Sequence, residues 1–408
     1  MRSRNLFSTI ERQKEEAIRT LEELICIAAI APENGGQGES EKAERLLQIL
    51  EPIGFDKIEH HDAKDDRVLS GKRPNIIAYY KGKNPTEKLW IVTHLDVVPP
   101  GEESFWTVTE PFKPKIQDGR LYGRGSEDNG QSMVASIFAV KALASLGMRP
   151  KRTMALAFVA DEEQGSTYGI QHLLEQRIFK KDDLIVVPDS GNEDGSFVEI
   201  AEKSNLWFRV RTIGKQVHAS RPHQGINAHR LGMRYALSLD EVLHEKYSLR
   251  NDYFDPPEST FEMTKKEKNV AATNIIPGED ITHFDCRILP SYAVEQVLTD
   301  IRELAEDFEK RTQGTIKIEV LAKTTAPRPT DPNSKIVSLL KKAILQVRET
   351  APKVGGIGGG TCAAFFRRKG IPAAVWSTVD ETAHQPNEYA KIDNLNNDTK
   401  IFATLAII

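Results

Sequence analysis

The sequence predicts an α/β protein: a mostly parallel sheet flanked by helices, interrupted by an inserted β-α-β-β-α-β domain. Three observations predict it. Short apolar runs at 75–82, 88–98, 153–160 and 183–187 alternate with helical stretches at 40–54, 131–147 and 167–178, the rhythm of strands and crossover helices. From 205 onward the rhythm changes to strand (206–213), helix (228–247), strand (269–275), strand (281–288), helix (293–311) and strand (315–322), the order of a ferredoxin-like unit. Finally, polar residues able to carry chemistry stand where the first set of strands should end, and the carboxyl ends of parallel strands are where open α/β sheets bind ligands. The expected division is 1–204 for the first part of the principal domain, 205–324 for the inserted domain and 325–408 for the second part.

Each element has a local reason. Ile18, Leu21, Leu24 and Ile25 share one face of a helix predicted over 11–30. Ser40 is a candidate cap and Gly54 a candidate stop for the next helix. Leu89, Trp90, Ile91 and Val92 form an unbroken apolar run, as in a strand covered on both faces. Val134, Ile137, Val140, Leu143 and Leu146 are spaced for burial along 131–147. After the insertion come a helix at 331–349, a glycine run at 355–360, a strand at 373–378 and a helix from 394.

The totals exclude several classes. The chain has 408 residues with 39% hydrophobic and 28% charged content, ordinary for a globular protein. Its net charge is −4 and no basic block occurs, so nucleic acid is not an expected partner. Nothing approaches a membrane span. Cys26, Cys286 and Cys362 are scattered, odd in number and lack C-x-x-C spacing, which argues for a reducing compartment. Glu11, Arg12, Lys14, Glu15 and Glu16 interrupt any apolar leader. The expected location is the cytoplasm.

Five clusters carry the chemistry: His94-Leu95-Asp96, Gly123-Arg124-Gly125-Ser126-Glu127-Asp128, Asp161-Glu162-Glu163, Pro188-Asp189-Ser190-Gly191 and Ala383-His384-Gln385-Pro386-Asn387-Glu388. Each alone has a structural explanation: a polar surface turn, a helix cap at Asp128, a solvated charge run, a turn residue at Asp189, a surface His384. Most of them end predicted parallel strands, so the fold would gather them in one crevice. Imidazoles and carboxylates without thiolate suit zinc, cobalt or manganese. Two histidines and three carboxylates exceed one open tetrahedral site, whereas two ions sharing a carboxylate would use them all. One glutamate is left for proton transfer, because adjacent Glu162 and Glu163 on an extended chain cannot both face one ion.

In this order and context these motifs resemble the di-metal exopeptidase and deacylase family of carboxypeptidase G, aminoacylase, acetylornithine deacetylase and succinyl-diaminopimelate desuccinylase. The resemblance covers nearly the whole chain. It implies that His94 and Asp189 hold one metal, Glu163 and His384 the other, and Asp128 both, while Asp96 orients His94 and Glu162 is the general base and later the acid. It also implies that the inserted domain is a lid and dimerisation domain. There Gln216-Val217-His218-Ala219-Ser220 with Gly225-Ile226-Asn227-Ala228, Thr273-Asn274-Ile275-Ile276-Pro277-Gly278 and Asp285-Cys286-Arg287 match the family's segments. His218 would stabilise the oxyanion. Asn274, Arg287, Gly359, Gly360 and Thr361 would bind substrate, Arg287 and the glycine segment at its carboxylate. Two divalent ions per subunit are implied, zinc first, then cobalt or manganese, and a homodimer in which His218 reaches the partner's site.

Two departures from the family matter. Asn129-Gly130-Gln131 follows Asp128 where many members carry a Lys, and Cys362-Ala363-Ala364-Phe365-Phe366 follows Thr361 where desuccinylases carry an Arg. The expected activity is hydrolysis of an amide bond in a dipeptide, a peptide C-terminus or an N-acyl amino acid, through a metal-bridged hydroxide with Glu162 as the general base. Succinyl-diaminopimelate desuccinylase or acetylornithine deacetylase is the alternative, and a non-catalytic binding protein of the same fold the remote one.

Overall fold

Burial of apolar runs sets the chain's layout, seen in a computed structural model that describes residues 2–408. It begins with α1 (Arg2–Ile25), α2 (Ser40–Leu50), β1 (Lys57–His60), β2 (Ile76–Tyr80), β3 (Asn84–His94), α3 (Ser132–Ser145), β4 (Arg152–Val159), α4 (His172–Glu175), β5 (Leu184–Asn192) and β6 (Phe197–Glu202). Then come β7 (Ser204–Ile213), β8 (Val217–His218), α5 (Ala228–Lys246), β9 (Thr260–Lys266), β10 (Ile275–Ile276), β11 (Glu279–Ile288), α6 (Val294–Arg311) and β12 (Thr315–Thr324). The chain closes with α7 (Lys335–Arg348), β13 (Lys353–Ile357), α8 (Ala363–Arg368), β14 (Ala373–Thr378) and α9 (Ile392–Ile407). Two compact units result. Met1–Ile200, Thr330–Val354 and Thr361–Ile408 form the first, and Ala201–Pro329 with Gly355–Gly360 the second.

The large sheet has the order β1-β2-β4-β3-β5-β14-β6-β13. Its centre is parallel, β3 pairing with β4 and β5, and β5 with β14. Antiparallel pairs β1–β2, β2–β4 and β6–β14 lie outside this centre. Trp90, Val92, Ala155, Ala157, Ile185, Val187 and Val375 pack one face against Phe179 and Phe366. The indole N–H of buried Trp90 donates to Asp183 Oδ2 at 2.8 Å, so the one polar atom of that ring is satisfied. On the other face α3 is buried along nearly its full length and packs against α1 and α9. Parallel pairing brings the carboxyl ends of β3, β4, β5 and β14 to the same edge.

The second unit carries a four-stranded antiparallel sheet in the order β9-β11-β7-β12. With α5 and α6 in sequence order this is the ferredoxin-like β-α-β-β-α-β arrangement. Leu206, Phe208 and Val210 alternate inward along β7 and meet Tyr235, Leu239, Phe284 and Ile301. Phe208 and Phe284 stack with ring centroids 4.8 Å apart. No helix among the described residues is long and apolar enough to cross a membrane.

Several elements differ from expectation. The first helix ends at Ile25, earlier than predicted: a turn follows, the Ala29 carbonyl accepts Val97 N–H at 3.0 Å, and Ile30 bridges to Val97. The helix expected over 167–178 is regular only at His172–Glu175. Gly169 breaks it, lying so close to Ala160 that an added Cβ would sit 1.9 Å from that carbonyl oxygen. The strand expected at 269–275 is found at Thr260–Lys266, and Ile275–Ile276 instead forms a two-residue ribbon with Val217–His218. Glu262, Lys265 and Lys266 disguise that edge strand with charge, a common protection against edge-to-edge pairing.

Candidate metal centre

His94 ends β3 and is 3% exposed. Its Nδ1 faces the Asp96 backbone oxygen at 3.0 Å, which turns Nε2 outward. Nε2 lies 2.8 Å from Asp128 Oδ1 and 3.3 Å from Asp189 Oδ1, the latter on neighbouring β5. Asp128 stands in the turn before α3 and offers its other oxygen to His384, Oδ2 to Nε2 at 3.2 Å. That imidazole nitrogen is also 3.1 Å from Glu163 Oε2. The two histidines therefore meet opposite oxygens of one carboxylate. His94, Asp128 and Glu163 bring ligand atoms within 4.8 Å of one another, and so do His94, Glu162 and Asp189.

Four carboxylates converge here with two imidazoles, and the electrostatics show what the set lacks. Hydrogen bonds to Asp128 and Glu163 push the His384 imidazolium up to about 10. Burial opposes a charge on His94, yet Asp128, Asp189 and Asp96 outweigh it and raise that imidazole well above its usual value. Burial also drives the Asp128 carboxyl up, but hydrogen bonds from His384 and His94 bring it down on balance. Burial first, then the charge of Asp189, lifts Glu162 far above the ordinary carboxylate range. A cluster that draws protons this strongly is short of positive charge, and nitrogen and oxygen donors at this density fit divalent ions.

The loops that present these groups are cross-braced by carboxylates, several of which sequence reasoning missed. Glu388 is fully buried and accepts from the backbone N–H of Gly125, Glu127 and Asp128 at 2.9, 3.0 and 3.0 Å, and from Arg124 Nη1 at 2.7 Å. In return Glu127 accepts from the backbone N–H of Asp380, Thr382 and Ala383, just before His384. Asp96 was expected to orient His94 through its carboxylate. That carboxylate stands 3.6 Å from Nδ1 and also accepts the N–H groups of Glu162 and Glu163 at 3.1 and 3.0 Å. Asp161, in the left-handed region at φ 66°, gives its N–H to Glu39 at 3.2 Å, and buried Arg73 holds Glu39 in turn. Lys42, 4% exposed, donates to the carbonyl between His94 and Asp96, Leu95 O, at 2.9 Å.

The departure after Asp128 has a structural reading. Asn129 Nδ2 reaches Pro188 O at 2.7 Å and Asp189 Oδ1 at 3.2 Å, tying the Asp128 turn to β5. An added Cβ on Gly130 would meet Gly125 O at 2.5 Å, so that position is confined to glycine by close backbone approach. Thr361 is buried, and its Oγ1 accepts Ala363 N–H at 3.2 Å where α8 begins. Arg367, the next arginine, is also buried and donates to Glu199 Oε1 at 2.8 Å and to Ala373 O.

In the second unit His218 is exposed, with Nδ1 2.8 Å from Ser220 Oγ. Asn274 adjoins it across the ribbon, its carbonyl taking Ala219 N–H at 2.8 Å. Arg287 grips Asp285 with Nε and Nη2 at 2.7 and 2.9 Å and gives Nη1 to Gly358 O at 3.1 Å. Around Gly359 no heavy atom lies within 4 Å of an added Cβ, and Gly360 approaches Glu202.

The profile of Peptidase family M20/M25/M40 matches residues 90–407. An uncharacterized metallohydrolase of Methanocaldococcus jannaschii is 43% identical over 404 residues, covering 95% of this chain and 98% of that one. A succinyl-diaminopimelate desuccinylase of Nitratiruptor sp. is 27% identical over 378 residues, covering 91% and 94%. The structure of aminopeptidase PepT from Bacillus cereus superposes with a TM-score of 0.76 at 19% identity, covering 96% and 98%. A metal-ligand cluster at the strand ends and a profile match over most of the chain lead to one conclusion: this protein belongs to Peptidase family M20/M25/M40 and is a hydrolytic enzyme acting on amide bonds.

Proposed function

We propose that the enzyme is a cytoplasmic, homodimeric di-metal hydrolase of dipeptides, peptide C-termini or N-acyl amino acids. One observation carries the two-metal reading: His94 and His384 address different oxygens of Asp128. His94 and Asp189 would hold one ion, Glu163 and His384 the other, and Asp128 both. When bound, two divalent ions, zinc first and cobalt or manganese as alternatives, would polarise the scissile carbonyl and acidify a water. Glu162 takes the proton of the attacking water and returns it to the leaving amine. The three free thiols, Cys26, Cys286 and Cys362, support the cytoplasm.

His218 and Asn274 are assigned to the substrate carbonyl, and Arg287, Gly359, Gly360 and Thr361 to its carboxylate end. Asp285 and Gly358 O take three of the five N–H groups of Arg287, one each on Nε, Nη2 and Nη1, which leaves one on Nη1 and one on Nη2 for a carboxylate. A desuccinylase reading is favoured by the names of relatives at 25–28% identity. Against it, no arginine follows Thr361 before Arg367, and Arg367 is buried on Glu199. The test is to strip metal, restore zinc, cobalt or manganese in turn, count bound ions and screen dipeptides beside N-acetyl and N-succinyl amino acids. About two ions per chain and a preference for dipeptides or N-acetyl amino acids are expected. One ion with His384→Ala fully active would overturn the two-metal reading, and a specificity constant highest for N-succinyl-diaminopimelate would overturn the substrate class.

The dimer is supported by an apolar patch on the second unit. Met233 and Leu237 of α5 and Met263 of edge strand β9 are 49%, 57% and 42% exposed. A C₂ contact there would bury them against their own copies. If His218 then serves the partner's site, mixing His218→Ala with Glu162→Ala chains restores activity that neither homodimer has. No recovery on subunit exchange, or a fully active monomer, would remove the proposal.

A further inference from the structure

We infer that the second unit carries a binding pocket for a small organic anion with an apolar body, built on residues to which the function proposed above gives no role. A cavity of about 450 Å³ opens between the first turns of α5 and the last turn of α6, within the usual size range for a small-molecule site. Arg230 and Arg234 line it from α5, one helical turn apart, and Arg311 from the end of α6. Four arginines of this unit hold a carboxylate within 4.0 Å, Arg209 on Glu319, Arg211 on Glu279, Arg250 on Glu258 and Arg287 on Asp285, while Arg221, Arg302 and Arg328 lie outside the cavity and hold none among the described residues. Among the described residues Arg230, Arg234 and Arg311 hold none; the acids beside Arg311 are used elsewhere, Asp307 on Lys310 and Glu309 on the Ile316 N–H. Like charges one turn apart on a helix repel, so this triad lacks the counter-charge that an anion would supply.

The rest of the lining fits the other half of such a ligand. Ile226, Ile276 and Phe308 form an apolar wall. Phe308 is braced edge-on by buried Tyr235, ring centroids 5.6 Å apart. Asn227 caps α5 by accepting Arg230 N–H at 2.9 Å, so the positive end of that helix dipole also faces the cavity. Guanidinium forks match both phosphate and carboxylate oxygens, and the chemistry shared by the two is a compact oxyanion on an apolar stem.

The experiment measures binding of 1-naphthyl phosphate and of 1-naphthoate to the metal-loaded, full-length enzyme by calorimetry. Saturable binding of at least one probe is expected at one site per chain, and the stronger probe identifies the head group. Arg311→Ala and the double variant Arg230→Ala/Arg234→Ala should each weaken it at least tenfold. The lysine versions should weaken it less, and His384→Ala, which disturbs the metal centre, should leave it unchanged. The inference is overturned if neither probe binds at millimolar concentration, or if binding disappears in His384→Ala and survives in the arginine variants. It also fails if the arginine variants merely change the oligomeric state, since the triad would then be meeting acids of a second copy.

Discussion

Glu162→Gln is expected to keep its full complement of metal and to lose about 10²–10⁴-fold in kcat, the usual contribution of general acid–base catalysis. The substitution keeps shape and hydrogen-bonding capacity but removes the proton acceptor. Its backbone N–H still rests on Asp96, so the loop that also presents Glu163 should hold its place. The structure makes the opposite outcome informative. Glu162 stands within 4.8 Å of ligand atoms on His94 and Asp189, close enough to serve as a ligand itself. Elemental analysis showing one ion lost in this variant would mean that Glu162 binds metal and that the base must be sought elsewhere.

Glu388→Ala should lower the stability of the metal-free protein by roughly 3–5 kcal/mol, the cost typical of removing one partner from a buried ion pair. Arg124 and Glu388 are 2% and 0% exposed, so neither charge has water to fall back on. Three backbone N–H groups around Asp128 lose their acceptor at the same time. Metal affinity should fall with stability, because the Asp128 turn is no longer held in the conformation that presents its two oxygens. Urea unfolding and a zinc-chelator competition measure the two effects. A midpoint and an affinity both within error of the parent would show that the turn stands without its brace.

The candidate site was legible in the sequence because strand ends announce themselves. An apolar run that stops at His94, Asp161 or Asp189 is visible in one dimension, and parallel pairing does the gathering. The braces were not, because their partners are backbone amides with no sequence signature. Nothing in Pro386-Asn387-Glu388 tells that Glu388 will bind N–H groups about 260 residues earlier. The same holds for Asp96. H-x-D spacing suggested a carboxylate beside the imidazole, and it stands 3.6 Å from Nδ1; nothing in the spacing tells that a carbonyl lies closer or that the carboxylate also takes the N–H groups of the next strand's loop. In the fold, strong apolar alternation located β7 and β11, whereas β9, charged on its open side, and β13, with two glycines in five residues, carry weak patterns. Periodicity over 167–178 suggested a helix that one close backbone contact at Gly169 forbids.

The mutual bracing of Glu127 and Glu388 also sets an order of events during synthesis. The turn that presents Asp128 leaves the ribosome first, followed by the whole second unit, and only then the segment bearing His384 and Glu388. At ~5–20 residues per second the Asp128 turn waits on the order of 13–50 s for its brace, given the separation of 260 residues. Until then the growing chain exposes strand ends rich in carboxylates but holds no finished catalytic centre. On the function proposed above, hydrolytic activity is thereby reserved for chains translated past His384 and Glu388.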